Sequence, residues 1–243
     1  MKVVTIVQAR MSSTRLPGKV MMKLAGMPML QFQLERVRRA GQIGELVVAT
    51  TTNPADEPIV QLCHRLEVAT FRGEEEDVLD RYCNTASEHN ADVVVRITSD
   101  CPLIDPVEID RVIAFYRREY EKYDYVSNIL RRTFPRGMEC EVFSFEALMT
   151  AAREASDSSD REHVTMYIRK RPERFRLGSV TGETDHSRHR WTVDTPEDLE
   201  LVQRMADEIY PRKPEFGLTD CLELLDRHPD WLLLNDHVRQ KTV

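Results

Sequence analysis

The sequence has no uninterrupted apolar run near the ~20 residues that a membrane-spanning helix requires. The apolar start at residues 1–7 is too short for a secretory signal and is predicted to form a strand. The five cysteines are scattered, without a C-x-x-C pair, which argues against a structural zinc site or a disulfide framework. No low-complexity linker or solenoid repeat divides the chain. These absences predict a single cytoplasmic domain over residues 1–243, with no membrane segment.

Acidic residues are missing from the first 34 positions, although the chain has 41 acidic residues, 34 basic residues and a net charge of −7. The basic residues in this acid-free stretch are Lys2, Arg10, Arg15, Lys19 and Lys23. A cationic first element on an acidic protein indicates a small anionic ligand. The negative overall charge argues against nucleic acid as the main partner.

Apolar patterning in the first half of the chain alternates between strands and helices. Strands are predicted at Val3–Val7, Glu45–Thr50, Val68–Phe71, Asp92–Thr98 and Tyr123–Ser127. Helices are predicted from Pro28, from Asn53, over Glu76–His89 and over Pro106–Tyr120. Repeated strand–helix units with short connections predict an α/β fold whose parallel sheet is covered on both faces.

After residue 128 this alternation becomes less regular. Strands are predicted at Glu139–Phe145, Phe175–Val180 and Arg190–Val193, and helices at Asp160–Arg171, Pro196–Glu208 and Leu218–Asp226. This half of the chain is expected to complete the sheet and to add the acceptor side of a cleft.

The loop at residues 8–19, QARMSSTRLPGK, has the composition of a phosphate-binding loop. Arg10, Arg15 and Lys19 supply charge-assisted donors, and Gly18 lets the backbone approach a ligand closely. Hydroxyls come from Ser12, Ser13 and Thr14. Neither the Walker A spacing nor G-x-G-x-x-G is present, so a solvated cationic turn is the alternative interpretation. We predict that this loop binds the phosphates of a nucleoside triphosphate.

Two aspartates are candidate metal ligands. Asp100 follows a predicted buried strand, at the sheet edge where the phosphate loop also begins. Mg²⁺ bound to a triphosphate takes one or two carboxylates, which favours a metal role for Asp100, whereas Asp105 before Pro106 is predicted to cap a helix. Asp194 precedes a Thr-Pro-Glu helix start, so capping and metal binding are equally good interpretations of it.

Three motifs, in order along the chain, resemble those of the sugar-acid cytidylyltransferases. Residues 8–19 are similar to the signature of CMP-3-deoxy-manno-octulosonate synthetases and, more distantly, of acylneuraminate cytidylyltransferases. Residues 92–106 resemble the spore-coat polysaccharide biosynthesis branch, and Val193–Glu200 matches the C-terminal motif. The octulosonate enzymes usually have Gly-Asp-Glu-Pro where this chain has Ser-Asp-Cys-Pro at residues 99–102, so the resemblance does not identify the sugar.

The resemblance implies a three-layer nucleotidyltransferase fold with a mixed, mostly parallel sheet, a nucleotide-binding half at residues 1–128 and a sugar-binding half at 129–243. It implies Mg²⁺-dependent transfer of CMP from CTP to a sugar acid, with release of pyrophosphate, for surface polysaccharide biosynthesis. It also implies a homodimer, whose interface we expect between residues 125 and 180.

The resemblance assigns residues as well. Asp100 and Asp194 would hold Mg²⁺, and the catalytic residues would be Arg10, Arg15, Lys19 and Asp100. Nucleotide contacts would come from Gln8, Ala9, Arg10, Ser12, Ser13, Arg15, Lys19, Arg72 and Asp77. Candidate sugar contacts are Arg136, Glu141 and His163, with a strand-edge role as the alternative for Arg136 and Glu141.

Two other interpretations of the chain remain open. A glycosyltransferase of related fold, using a nucleotide-sugar donor, would be expected to show a D-x-D motif, and none occurs near Asp100. A non-catalytic nucleotide-binding protein would bind CTP without turnover. The pair His186-x-x-His189 has metal-like spacing but no evident third ligand, so we interpret it as an exposed loop.

Overall fold

The computed structural model describes residues 1–240. The strands are β1 (Val3–Gln8), β2 (Lys23–Leu24), β3 (Met27–Pro28), β4 (Glu45–Thr51), β5 (Ala69–Gly73), β6 (Val93–Thr98), β7 (Tyr125–Ser127), β8 (Glu141–Ser144) and β9 (Leu177–Ser179). The α-helices are α1 (Met29–Val37), α2 (Glu57–Arg65), α3 (Val78–Glu88), α4 (Pro106–Arg118), α5 (Phe145–Glu154), α6 (Ser158–Glu162), α7 (Met166–Arg169), α8 (Pro196–Ile209) and α9 (Leu218–Arg227).

Seven strands form one sheet in the order β5-β4-β1-β6-β8-β7-β9, and β2 pairs with β3 in a separate ribbon. β1 lies parallel to both β4 and β6, β4 is parallel to β5, and β7 is parallel to β9. Only β8 runs against its neighbours, β6 and β7. The sheet is therefore mixed and mostly parallel, as predicted.

Apolar side chains pack on both faces of this sheet. Along β6, Val95 and Ile97 join the core cluster that contains residues of α1, α2, α4, α8 and α9. Val94 points to the other face, where it joins residues of α3, α5 and α7. Because successive strand residues alternate between faces, the buried run of β6 supplies both cores. Helices cover the sheet on both sides, which confirms the three-layer arrangement.

The second half of the chain departs from the predicted elements. Residues 160–171, predicted as one helix, contain the end of α6 and the short helix α7, because buried Val164 between them adopts a φ of 51°. Residues 190–193, predicted as a strand, form only a single bridge from Arg190 to Arg136. The strands predicted at 139–145 and 175–180 shorten to β8 and β9.

Within residues 1–240, no helix combines the length and apolar character needed to cross a bilayer. All five cysteines are buried and carry free thiols.

Candidate active site

A cavity of about 580 Å³ opens where β1 and β6 end. The loop at residues 8–19 forms one wall, the end of β6 forms the floor, and residues of α6 and of the start of α3 complete the lining. The carboxyl ends of parallel strands are the usual ligand site of open α/β sheets. Predicted residues that line this cavity are Gln8, Ala9, Arg10, Ser13, Arg15, Lys19, Asp100, His163 and Asp194.

The shape of the loop follows from two backbone constraints. Gly18 adopts a φ of 71°, a left-handed conformation that glycine accepts without strain, and its N–H donates to the carbonyl of Met11 at 2.8 Å. The N–H of Met11 in turn donates to Asp56 Oδ1 at 2.7 Å. Asp56 is buried and also accepts a hydrogen bond from Thr51 Oγ1, so the loop is tied to the end of β4.

The ammonium of Lys19 lies at the centre of the site. Nζ donates to Asp194 Oδ1 at 3.0 Å, to Asp100 Oδ2 at 3.4 Å and to the carbonyl of Val193 at 2.7 Å. Burial lowers the pKa of Lys19, but the charges of Asp100 and Asp194 outweigh that effect and raise it. The side chain therefore stays protonated at neutral pH, as a fixed cation inside the cavity.

Arg15 and Arg10 extend this cationic wall. Arg15 Nη2 lies 3.0 Å from Asp194 Oδ2, and Arg10 Nη1 lies 3.7 Å from Glu75 Oε1. Both side chains remain about one-third exposed to the cavity, so both keep donors for an anion. The hydroxyl of Ser12 donates to Glu75 instead and does not line the cavity.

A buried network holds Asp194. Arg190 Nη2 donates to Asp194 Oδ2 at 3.0 Å, and Arg190 Nε donates to Asp198 Oδ1 at 2.8 Å. Asp198 is fully buried and accepts the backbone N–H of Asp194 at 3.0 Å. Helix capping belongs to Thr195, whose hydroxyl and Asp198 form the capping box of α8. Asp194 is therefore not the N-cap of α8, and its carboxylate lines the cavity instead.

Asp100 is fixed at the end of β6 by its neighbours. Thr98 Oγ1 donates to Asp100 Oδ1 at 2.6 Å. Burial raises the pKa of Asp100, but the Lys19 charge and the Thr98 hydrogen bond outweigh it, so the pKa is lowered and the carboxylate is charged. Asp105 caps α4 by accepting the N–H of Val107 at 2.8 Å, as predicted.

Asp100 and Asp194 fit the carboxylate requirement of Mg²⁺. Both line the cavity and both contact the same ammonium, so they converge on one point. In the described part of the chain, no group of three or more His, Cys, Asp or Glu side chains could enclose a metal. Two carboxylates with room for phosphate and water suit Mg²⁺, which keeps several waters and binds substrate phosphates.

Other predicted contacts lie outside this cavity. Arg72 Nη1 pairs with Glu57 at 3.0 Å, and Asp77 caps α3 while accepting from Arg161 Nε at 2.6 Å. Arg136 lines a second cavity of about 320 Å³, and Glu141 is buried below the floor. The structure does not place these four side chains in the lining of the first cavity, and their direct contact with nucleotide or sugar stays a prediction.

Polar or charged lining residues that were not predicted from the sequence include Arg96, Ser158 and Ser159. For Arg96 a signal was present, because it is the one charged residue of the strand sequence VVVRIT. A charge on a strand buried on both faces is costly unless it has a partner or a ligand. His163, which directly follows α6, was a predicted sugar contact and does line the cavity, but the sequence did not indicate that Ser158 and Ser159 at the start of this helix would line it too.

The interpretation of His186 and His189 as an exposed loop is wrong for His189, which is buried at 5% exposure. Its ring packs 5.5 Å from that of Trp191, which is fully buried and part of the core. Burial, together with the charges of Arg188 and His186, lowers the pKa of His189 to about 4. His189 is therefore a neutral packing residue at physiological pH.

Residues 4–215 match a family model described as cytidylyltransferase. The spore coat polysaccharide biosynthesis protein SpsF of Bacillus subtilis is 32% identical over 232 residues, which cover 93% of this chain and 94% of that relative. A 3-deoxy-manno-octulosonate cytidylyltransferase of Geobacter metallireducens is 37% identical over 114 residues, 47% of this chain and 44% of the relative.

Among solved structures, a cytidylyltransferase from Leptospira borgpetersenii is 31% identical and has a TM-score of 0.91. The match covers 100% of this chain and 99% of that chain. This similarity confirms the predicted nucleotidyltransferase fold.

Proposed function

The chain belongs to the cytidylyltransferase family, and we propose that it transfers CMP from CTP to a sugar acid with release of pyrophosphate. Family membership confirms the resemblance seen in the three sequence motifs, and with it that the protein is a nucleotidyltransferase enzyme. The identities of the nucleotide, the metal and the acceptor are proposals, and the charged residues of the cavity support them.

One observation carries the proposal: Lys19 lies between Asp100 and Asp194 in a cavity that Arg10 and Arg15 also line. Three cations and two carboxylates on one wall suit a triphosphate with its divalent ion. A simple anion site would not need the carboxylates, and a bare cation site would not need the arginines.

The charged side chains of the cavity have two proposed roles, phosphate binding and metal binding. Arg10, Arg15 and Lys19 bind and orient the phosphates and neutralise the charge that develops during transfer. Asp100 and Asp194 would hold Mg²⁺, which when bound supplies a Lewis acid to the phosphoryl oxygens. The acceptor hydroxyl oxygen forms a bond to the α-phosphorus while the bond to the bridging β-phosphate oxygen breaks. Pyrophosphate leaves, and the hydroxyl proton passes to solvent.

The family assignment favours nucleotidyl transfer over the two other interpretations. A glycosyltransferase would cleave a nucleotide sugar and release no pyrophosphate. A non-catalytic nucleotide-binding protein would bind CTP with Mg²⁺ and show no turnover with any acceptor. Both alternatives therefore predict that no pyrophosphate is released from CTP, whereas the proposal predicts its release.

The decisive experiment measures pyrophosphate release from CTP, UTP, ATP and GTP with Mg²⁺ and a panel of octulosonate and nonulosonate acids. We expect turnover with CTP and at least one acid. Arg15→Ala and Asp100→Asn should each reduce turnover by ~10²–10³-fold. Arg118→Gln is the matched control, since Arg118 is an exposed residue of α4 that does not line the cavity. Unchanged turnover in both site variants would refute the assigned mechanism.

The setting of the reaction is also part of the proposal. A relative named for spore coat polysaccharide biosynthesis supports a role in making surface polysaccharide. Five buried free thiols suit a reducing cytoplasm. We further propose a homodimer with its interface between residues 125 and 180, and light scattering that reports a monomer at micromolar concentration would contradict it.

A further inference from the structure

Arg96 lies in the cavity floor, on a strand whose other buried residues are apolar. Its register partners are Ile6 on β1 and Glu141 on β8, so the residue lies in the middle of the sheet. Residues two apart on a strand share a face, which places Arg96 beside Thr98 and ~6.6 Å along the strand from it. Thr98 donates to Asp100, so Arg96 is adjacent to the phosphate site.

The guanidinium of Arg96 has unused donors. Nη1 donates to Glu141 Oε1. Nε is buried without a hydrogen-bond partner, and Nη2 donates to no other residue in the part of the chain that the structure describes. The side chain is 13% exposed and lines the cavity. Because the buried Nε cannot be reached from the cavity, Nη2 is the donor through which Arg96 can bind an anion there.

Glu141 holds Arg96 in place but does not fully neutralise the positive charge around it. The second oxygen of Glu141 accepts hydrogen bonds from Tyr125 Oη at 2.5 Å and from Thr165 Oγ1 at 2.6 Å, so both carboxylate oxygens already have donors within the protein. Burial raises the pKa of Glu141, but Arg96 and Arg169 outweigh it and lower the pKa. The single negative charge of Glu141 is thus shared between the guanidiniums of Arg96 and Arg169. The cavity floor therefore keeps a net positive charge.

We propose that Arg96 binds the carboxylate of the sugar-acid acceptor through Nη2, an inference that rests on the proposed function. Ser158, Ser159 and His163 line the same cavity as Arg96, and their hydroxyl and imidazole groups suit the hydroxyls of a sugar. Lys19 and Arg15, which we propose to bind the phosphates, line it as well. The acceptor is therefore an anionic sugar, selected by a fixed cation on the sheet floor.

The test compares an acid of the panel with its carboxamide, which has the same shape without the charge. Wild-type protein should use the acid with a kcat/KM about 10–100-fold above that of the amide, the range expected for hydrogen bonds to a charged group. The double variant Arg96→Gln/Glu141→Gln removes both charges of the buried pair, so neither is left unpaired. It should lose this preference while its Kd for CTP stays within about twofold of wild type.

Arg96→Lys provides a second variant that retains the charge on a shorter side chain without the guanidinium geometry, so it should show an intermediate preference. Arg118→Gln serves as the exposed control and should keep the full preference. Thermal unfolding monitored by circular dichroism checks that each variant is folded.

Three results would overturn the inference. In the first, the folded double variant keeps the acid-over-amide preference. In the second, the variant weakens CTP binding and leaves the acid KM unchanged, which would assign Arg96 to the triphosphate. In the third, the wild type turns over neutral sugars and rejects acids, which leaves nucleotidyl transfer intact and refutes the acceptor class. If the wild type releases no pyrophosphate with any acceptor, the proposed function itself fails.

Discussion

Lys19 and Asp194 lie 175 residues apart in the sequence, yet the Lys19 ammonium donates to Asp194 Oδ1 at 3.0 Å. The first loop and the segment before α8 therefore form one charged wall. Because the same ammonium reaches Asp100 at the end of β6, three distant segments share one cation. The site can form only when these three segments are brought together.

Replacing Lys19 should mainly impair catalysis. Lys19→Ala removes a fixed cation that contacts both candidate metal ligands, so we expect pyrophosphate release at saturating CTP to fall by ~10²–10³-fold. Lys23→Ala is the matched control, since Lys23 belongs to the same acid-free stretch but is exposed. Equal activity of the two variants would remove Lys19 from the mechanism.

Replacing Asp194 should change the response to metal. Asp194→Asn removes one of the two carboxylates that we propose to hold Mg²⁺, and the Mg²⁺ concentration for half-maximal turnover should rise by at least ~10-fold. Excess EDTA should abolish wild-type turnover, and added Mg²⁺ should restore it. Asp230→Asn, at an exposed position, is the control. A titration curve for Asp194→Asn that overlays the wild type would contradict the metal assignment.

The network behind Asp194 should control stability. Asp198 is fully buried and accepts from Arg190 and from two backbone N–H groups. Asp198→Asn therefore removes one of the two carboxylates that pair with the buried Arg190 guanidinium and leaves only Asp194. We expect the free energy of unfolding in urea to fall by ~3–5 kcal/mol. Glu200→Gln breaks an exposed pair with Arg204 on the same helix and should cost under ~0.5 kcal/mol. Similar losses in the two variants would show that the buried network is unimportant.

His189 should contribute to acid sensitivity. Its pKa is lowered to about 4 by burial and by neighbouring Arg188 and His186, whereas the unfolded chain binds a proton near the ordinary value of 6.5. The unfolded state therefore binds more protons below that pH, and stability falls as the pH drops from 6.5 towards 4. Allowing for solvent screening, this effect should cost about 1 kcal/mol by pH ~5.

His189→Phe keeps an aromatic ring beside Trp191 and cannot titrate. Urea unfolding at about pH 7 and about pH 5 should show a smaller loss of stability for this variant than for wild type. His64→Gln, at an exposed position, should leave the pH dependence unchanged. A variant that loses as much stability as wild type on acidification would contradict the role of His189.

The first half of the fold could be predicted because its signals are local. The β-branched runs of β1 and β6 and the Asp105–Pro106 helix start depend only on neighbouring residues. The phosphate loop was predicted from its composition, and the sheet topology then brings it to Asp100. The interpretation of Asp194 could not be decided from sequence, because its capping role was excluded only by the hydrogen bonds of Thr195 and Asp198.

The second half depends on tertiary contacts. Helical periodicity continues through residues 160–171, but Val164 is buried in a left-handed conformation that no local pattern indicates. Arg190 lies in an apparently strand-like segment, yet its side chain is drawn to Asp194 and Asp198. Arg96 has a carboxylate partner 45 residues away on β8, which periodicity does not reveal.

The Arg190 network also reaches the far end of the described chain. Asn235 Nδ2 donates to Asp198 Oδ1 at 2.8 Å and to the carbonyl of Arg190 at 2.9 Å, and Arg190 Nη1 donates to Gln240 Oε1 at 2.5 Å. A protein engineer who trims residues 235–240 as a dispensable tail would thus loosen the support of a candidate metal ligand. Boundaries chosen for expression or crystallisation should keep this segment.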